Sequence, residues 1–205
     1  MMSIEVKAEA EIQTDWCRCP ESLADDAALS AAVIAVHQRL LTETLAADPL
    51  LNLALPIEVR ALRRIAEWRV LLLLTPWMLA RLLFPAQPPP LVLPAGWSAV
   101  ERTDAAYTVL GPHLHFELFG QAQQAHLGYH AALGHYLLQP LCLNLEPYRD
   151  ADAVFEQWSE VIRVRDANLE AARRDCPMQR EISRRELFRR LGGGVAASDQ
   201  PLASS

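Results

Sequence analysis

The apolar run from Leu71 to Pro85, LLLLTPWMLARLLFP, constrains the fold of this chain more than any other stretch. It begins as a continuous apolar segment, which is typical of a buried strand. Thr75 is a residue type that caps helices, and Pro76 suits the first helical position, where its missing N–H is not needed. We therefore predict a strand that runs directly into a short apolar helix. That helix should end at Phe84-Pro85, because a residue before proline disfavours the helical conformation.

Trp77 and Met78 would lie in the first turn of this helix, near the edge of a sheet. Two interpretations stay open for them. Large apolar side chains on a capped helix commonly belong to a core. An adaptable Met beside an aromatic side chain also suits a surface that binds another protein.

The residues before this run change from a helical to a strand-like period. Apolar residues recur at steps near 3.6 over residues 25–47, which predicts an amphipathic helix capped by Ser22 or Asp25. Alternation around Ile57–Leu62 and Trp68–Leu74 then predicts two strands, joined as a hairpin around Arg63–Glu67.

The residues after it continue with short elements. Pro85–Pro94 predicts a stiff loop, and Ala99–Asp104 a helical turn. Three further strands are predicted, over Tyr107–Leu110, His113–Phe119 and Leu127–Leu137, the last of them stopped by Gln139-Pro140.

The C-terminal part is predicted to be helical. Asp150 or Asp152 opens a long helix that reaches about residue 174 and breaks at Cys176-Pro177. Ser183 caps a last basic helix over Arg184–Leu191, which a run of glycines ends.

The order of these elements favours an α+β fold, with a mostly antiparallel sheet flanked by helices in a single domain. We expect residues 23–191 to form this domain, with a disordered acidic tail over residues 1–22 and a disordered tail over residues 192–205.

Charge and hydropathy exclude several functional classes. The net charge of -6 gives no reason to expect nucleic-acid binding. The N-terminus is acidic and has no apolar signal-peptide region. The run around Leu71–Pro85 is shorter than the ~20 residues of a membrane helix, and Pro76 and Arg81 interrupt it. We therefore expect a cytoplasmic protein without membrane insertion.

No set of residues typical of catalysis stands out, so we do not expect an enzyme. Cys17-Arg18-Cys19 lacks the second cysteine pair of a zinc site, and five of the six histidines lie between His113 and His135. Reduced thiols and scattered histidines explain these residues most simply. A metal or redox carrier that uses them is the alternative that stays open.

The motif Thr75-Pro76-Trp77-Met78-Leu79, followed by Leu83-Phe84-Pro85, resembles the T-P-W-M-L…F-P signature of the HybE family. These proteins, also called HupJ or HoxT, are accessory chaperones for [NiFe]-hydrogenase assembly. The resemblance covers roughly residues 30 to 190 and has weaker matches at these positions: Gly111-Pro112 with Phe116-Glu117, Gly128-Tyr129, Pro140, and Pro177-Met178 before Ser183-Arg184-Arg185.

The resemblance implies a non-enzymatic chaperone without a cofactor. It would bind the small or large subunit precursor of a [NiFe] hydrogenase during assembly and before twin-arginine export, together with other hydrogenase accessory proteins. The residues expected to bind the partner are Thr75, Pro76, Trp77, Met78, Leu79, Phe84, Pro85, Arg184 and Arg185.

The segment Ser183–Phe188, SRRELF, matches the twin-arginine pattern S-R-R-x-φ-φ, although it stands at the wrong end of the chain to direct export. A solvated basic helix end is the simpler interpretation of these residues. The alternative is that the segment competes for whatever reads the export signal of the client.

Overall fold

A six-stranded antiparallel sheet dominates the computed structural model, which describes residues 15–118 and 121–175. The strands are β1 Glu58–Ile65, β2 Trp68–Thr75, β3 Met78–Pro85, β4 His113–Leu118, β5 Gln121–His130 and β6 Gly134–Cys142, and the helices are α1 Asp26–Leu40, α2 Ala99–Arg102 and α3 Ala151–Asp175. The strand order is β1-β2-β3-β6-β5-β4, and every neighbouring pair is antiparallel. The predicted α+β class is thereby confirmed.

The central apolar run forms a hairpin, so the predicted helix after Thr75 is wrong. β2 and β3 pair without a register shift from Thr75↔Met78 to Trp68↔Pro85. Periodicity alone does not separate a buried strand from a short buried helix in a continuous apolar run. The hydrogen bonds of Thr75 are a second reason for the wrong prediction. Its hydroxyl accepts hydrogen bonds from the N–H groups of Trp77 and Met78, as a helix cap would, but here these bonds close a tight turn.

β3 is buried on both faces, which explains why its sequence is apolar without alternation. One face carries Met78, Ala80, Leu82 and Phe84 into a core with α1. On the other face, Leu79 packs in a cluster with the first turns of α3, and Leu83 packs in a cluster with β4 and β5. The sheet curls enough for the rings of Trp68 on β2 and Phe116 on β4 to lie 5.8 Å apart.

The predicted capping residues are confirmed at two helices. A side-chain oxygen of Asp25 accepts a hydrogen bond from the N–H of Ala28 at 3.0 Å, and α1 continues through a π-helical turn to Leu45. Asp150 accepts from the N–H of Ala153 at 2.8 Å at the start of α3. The predicted helical turn is present as α2.

Two predicted strands differ in the structure. Tyr107–Leu110 is irregular, although Tyr107, Val109 and Leu110 pack against the core. The single strand predicted over Leu127–Leu137 is interrupted by a turn at residues 131–133, and β6 continues through Gln139-Pro140 to Cys142. Gly134, with φ of 73°, takes the left-handed conformation that closes such a three-residue hairpin loop.

The boundary predicted near residue 22 is also wrong, because the domain already includes residues 15–19. Trp16 is 5% exposed and packs in a core cluster. The main chain of Cys17 pairs with that of His135, and the imidazole of His135 accepts a hydrogen bond from the N–H of Cys17 at 2.8 Å. An apolar Trp close to the N-terminus explains this outcome, since burial of its ring favours docking on the sheet.

The expected acidic tail up to residue 14, the break at Cys176-Pro177, the basic helix over Arg184–Leu191 and the tail from residue 192 lie outside the described residues. In the described part of the chain, no helix has the combination of length and hydropathy that a membrane crossing requires.

Candidate functional site

The family-like motif forms the tight turn between β2 and β3. Pro76 and Trp77 are the two turn residues, and Pro76 supplies the φ angle that the first corner of such a turn needs. The Thr75 hydroxyl accepts a hydrogen bond from the N–H of Met78 and donates one to its carbonyl, both at 3.1 Å. The side chain therefore closes the turn and holds Trp77 at its tip.

Most of the motif residues predicted to bind a partner are buried. Met78, Leu79 and Phe84 are fully enclosed in the core, and Thr75, Pro76 and Pro85 are also buried. Their contacts in this structure are packing contacts within the chain. Trp77 is the residue of the motif that remains partly exposed.

Trp77 lies over a buried histidine of α1. Its ring and that of His37 are nearly parallel, with centroids 6.1 Å apart. The indole Nε1 is buried and has no hydrogen-bond partner among the described residues, and the same holds for Nε2 of His37. Burial lowers the pKa of His37 to about 4, so this histidine is neutral near pH 7.

The loop before β1 lies against the same turn. The N–H of Asn52 donates to the Pro76 carbonyl at 2.9 Å. The Asn52 side-chain amide donates to the carbonyls of Leu145 and Tyr148, both at 2.8 Å, in the segment that follows β6. One asparagine therefore holds three segments together at this end of the sheet.

Large apolar side chains project from these segments into solvent. Leu50 is 86% exposed, Leu53 69% and Leu143 52%, and Leu50 and Leu143 line the same cleft. We call these three leucines together with Trp77 the leucine patch. Grouped exposed apolar side chains are typical of surfaces that bind other proteins.

The sequence missed the three leucines because neither a motif nor a periodic pattern marks them. The segment Leu50–Pro56 did offer an indication of exposed apolar residues, because it is an apolar link whose pattern matches neither a helix nor a strand. Asn52 in the middle of that link fixes it to the turn through the hydrogen bond from its N–H to the Pro76 carbonyl.

Two of the described cysteines, Cys19 and Cys142, lack the character of reactive thiols. Burial raises the pKa of the Cys19 thiol and that of the Cys142 thiol, so both favour the protonated form over the thiolate. Cys17 contributes through its main chain, which is paired with His135. These contacts give the cysteine pair a structural setting in the domain.

Three histidines of β4 and β5, His113, His115 and His126, lie side by side on the sheet. The ring centroid of His113 lies 5.3 Å from that of His115 and 5.2 Å from that of His126. Nδ1 of His126 bonds to the Gly111 carbonyl at 2.7 Å. In residues 15–118 and 121–175, no three His, Cys, Asp or Glu side chains are arranged to hold a metal ion.

The remaining predicted binding residues, Arg184 and Arg185, lie outside the described residues. The structure therefore leaves one predicted residue, Trp77, partly exposed, on a turn that Asn52 joins to the loops of three exposed leucines that the sequence did not indicate.

Comparison with known proteins identifies one family and one related structure. Residues 28–190 match the family described as "[NiFe]-hydrogenase assembly, chaperone, HybE". The solution structure of HybE from Escherichia coli is similar over 66% of this chain and 75% of that chain, with 16% sequence identity and a TM-score of 0.45. No curated protein sequence matches the chain.

Proposed function

Because the chain belongs to the HybE family of [NiFe]-hydrogenase assembly chaperones, we propose that it binds a hydrogenase subunit precursor through the leucine patch. The small or large subunit precursor would be held in the cytoplasm during assembly and before twin-arginine export. The exposure of Leu50, Leu53 and Leu143, in loops that the hydrogen bonds of Asn52 join to the turn of the partly exposed Trp77, is the observation that supports this proposal.

The patch suits an incompletely folded client. Such a precursor exposes apolar surface that its native fold later buries, and contact between two apolar surfaces is favourable by about 25 cal/mol per Å². The scaffold below the patch is rigid, since the turn is closed by Thr75 and the loop is fixed by Asn52. The patch is therefore presented without a large cost in conformational entropy.

Trp77 and the arginine pair have different roles in the proposal. Trp77 supplies an aromatic anchor at the tip of the turn, and tryptophan is enriched among the residues that contribute most to binding in protein interfaces. Arg184 and Arg185 supply charge-assisted hydrogen bonds to the client or to another accessory protein. Both roles are compatible with a chaperone that carries out no catalysis.

The test is capture of co-expressed small or large subunit precursor by affinity-tagged protein. Leu50→Ser, Leu53→Ser and Leu143→Ser together should reduce capture at least tenfold, while the melting temperature changes little, because exposed side chains contribute little to stability. Trp77→Ala should also reduce capture. Arg184→Gln with Arg185→Gln should weaken it with the melting temperature unchanged.

Val100→Ser is the matched control, because Val100 is 87% exposed, close to the 86% of Leu50, but lies on α2. This control should capture the precursor as the unchanged protein does. Equal capture by the leucine variant and the control would refute the leucine patch as the client surface.

A further inference from the structure

We propose that a polar cavity between β5, β6 and α3 binds a small molecule that carries a carboxylate or phosphate group. The cavity has a volume of about 460 Å³, a size that is common among ligand-binding pockets. Its described lining residues are mostly polar and include Arg81, His113, His126 and Asn168, together with four glutamines of β5 and β6. The cavity and the leucine cleft share no lining residue among those described.

The cavity exists because two strands of the sheet diverge. β5 and β6 pair only as far as His126↔Leu138, whereas β5 continues to pair with β4 as far as Gln121. The first half of β5 is therefore paired on one side only among the described strands. The side-chain amide of Gln139 reaches across the opening and donates a hydrogen bond to the Gln124 carbonyl at 2.9 Å. β6 also has a register shift at this point, and such bulges are common beside binding sites.

A buried arginine contributes a positive charge to the cavity. Arg81 is the one charged residue of β3, lies opposite Gln139 of β6 and is only 2% exposed. Burial of a guanidinium group is costly unless polar partners offset the cost. Because this group has five N–H donors, Arg81 can keep contacts within the chain and also bind an oxyanion, which arginine commonly does through two parallel hydrogen bonds.

The other polar groups of the cavity also suit an anionic ligand. The described lining residues include no aspartate or glutamate that would repel an anion. The side-chain amides of Gln123 and Asn168 supply further N–H donors. Nδ1 of His126 donates to the Gly111 carbonyl at 2.7 Å, so Nε2 of the neutral ring is an acceptor. This acceptor suits a hydroxyl group on the same ligand.

The burial of the lining residues sets the direction in which a ligand enters. Gln121, Gln124 and Asn168 are exposed to solvent, whereas Arg81 and Ala125 are buried. The ligand therefore enters past the exposed amides and places its oxyanion at the guanidinium group of Arg81. Removal from water strengthens the attraction between these two charges.

The experiment is a nuclear magnetic resonance titration of the isotope-labelled protein at constant ionic strength. Inorganic phosphate and citrate are the probes, because they present a phosphate group and carboxylate groups separately. At least one probe should cause saturable shifts of the side-chain amide signals of Gln123 and Gln139. The probe with the lower Kd identifies the group that the cavity prefers. The absence of saturable shifts with both probes would overturn the proposal.

The double variant Gln123→Glu with Asn168→Asp adds two negative charges to the lining of the cavity and leaves Arg81 in place. It should weaken binding of the probe at least about tenfold, because like charges repel strongly in a site that is partly removed from water. Gln38→Glu with Gln157→Glu is the matched control, since it changes the net charge equally at exposed residues outside the cavity. Equal affinity of the two double variants would show attraction to the whole protein and overturn the proposal.

Arg81→Lys tests the role of the guanidinium group. Lysine keeps the charge but lacks the planar pair of donors, so this variant should weaken binding of the probe while the protein stays folded. A folded Arg81→Lys protein with unchanged affinity would refute this role, and if the variant does not fold, the double variant of Gln123 and Asn168 decides. Precursor capture should not change in that double variant, so the cavity and the leucine patch are tested independently.

Discussion

His37 should make the stability of the domain depend on pH below neutrality. Its side chain is fully buried, and Nδ1 lies 2.7 Å from the Val33 carbonyl. Since a carbonyl oxygen only accepts, Nδ1 carries the proton of the neutral ring. Protonation of Nε2 would then place a charge where no described residue offers it a hydrogen bond. Burial is the main reason why the pKa falls from 6.5 to about 4.

The sign and size of the effect follow from proton linkage. The unfolded chain binds a proton near pH 6.5 and the folded chain only near pH 4, so the free energy of unfolding decreases as pH falls between these values. From pH 7 to pH 5 the contribution of this one group amounts to a loss of about 2 kcal/mol.

Urea denaturation followed by tryptophan fluorescence at pH 7 and pH 5 measures this difference. In His37→Leu the loss of free energy between the two pH values should be about 2 kcal/mol smaller than in the unchanged protein. Other titrating groups remain in both proteins and cancel in the comparison. His115→Gln, a variant of an exposed histidine on β4, should keep the full loss. An equal loss in His37→Leu and the unchanged protein would refute the reasoning.

Two further substitutions test the packing of the sheet and the support of the leucine patch. A Cβ at Gly128 would lie 2.3 Å from a ring carbon of Tyr136. Gly128→Ala should therefore lower the free energy of unfolding by about 1–3 kcal/mol, measured by urea denaturation. An unchanged denaturation midpoint would contradict this close packing. Asn52→Ala removes the side-chain amide that donates hydrogen bonds to the carbonyls of Leu145 and Tyr148. It should lower the free energy of unfolding by about 1–3 kcal/mol and reduce precursor capture. Full capture and unchanged stability would show that the leucine patch does not need this support.

The sequence predicted the fold class and the helix starts because the residues that decide them act locally. Asp25 and Asp150 cap helices through bonds to residues three positions later, so the signal lies within a few residues. Thr75 shows the limit of such signals, because the same side-chain bond closes a turn or starts a helix. The choice between them depends on the neighbours of β3 on both of its sides, which are distant in sequence.

The candidate site was harder to predict than the fold. The motif directed attention to Met78 and Phe84, which are buried because β3 lies in the middle of the sheet. Leu50, Leu53 and Leu143 belong to two separate loops, and these loops meet only in the folded protein, through the hydrogen bonds of Asn52 and a shared cleft. Exposure of an apolar side chain depends on tertiary structure and is therefore absent from any local pattern.

The β2–β3 hairpin also sets a fixed distance between its turn and its open end. From the Thr75↔Met78 pair to the Trp68↔Pro85 pair there are seven residue steps, or about 23 Å at the usual rise of a strand. Because the hairpin is unbroken and buried, it acts as a rigid spacer between the leucine patch and the opposite end of the sheet. A client that contacted both ends at once would bind bivalently, so that the first contact would raise the effective concentration of the second. Client segments too short to span this distance would lose that gain in avidity.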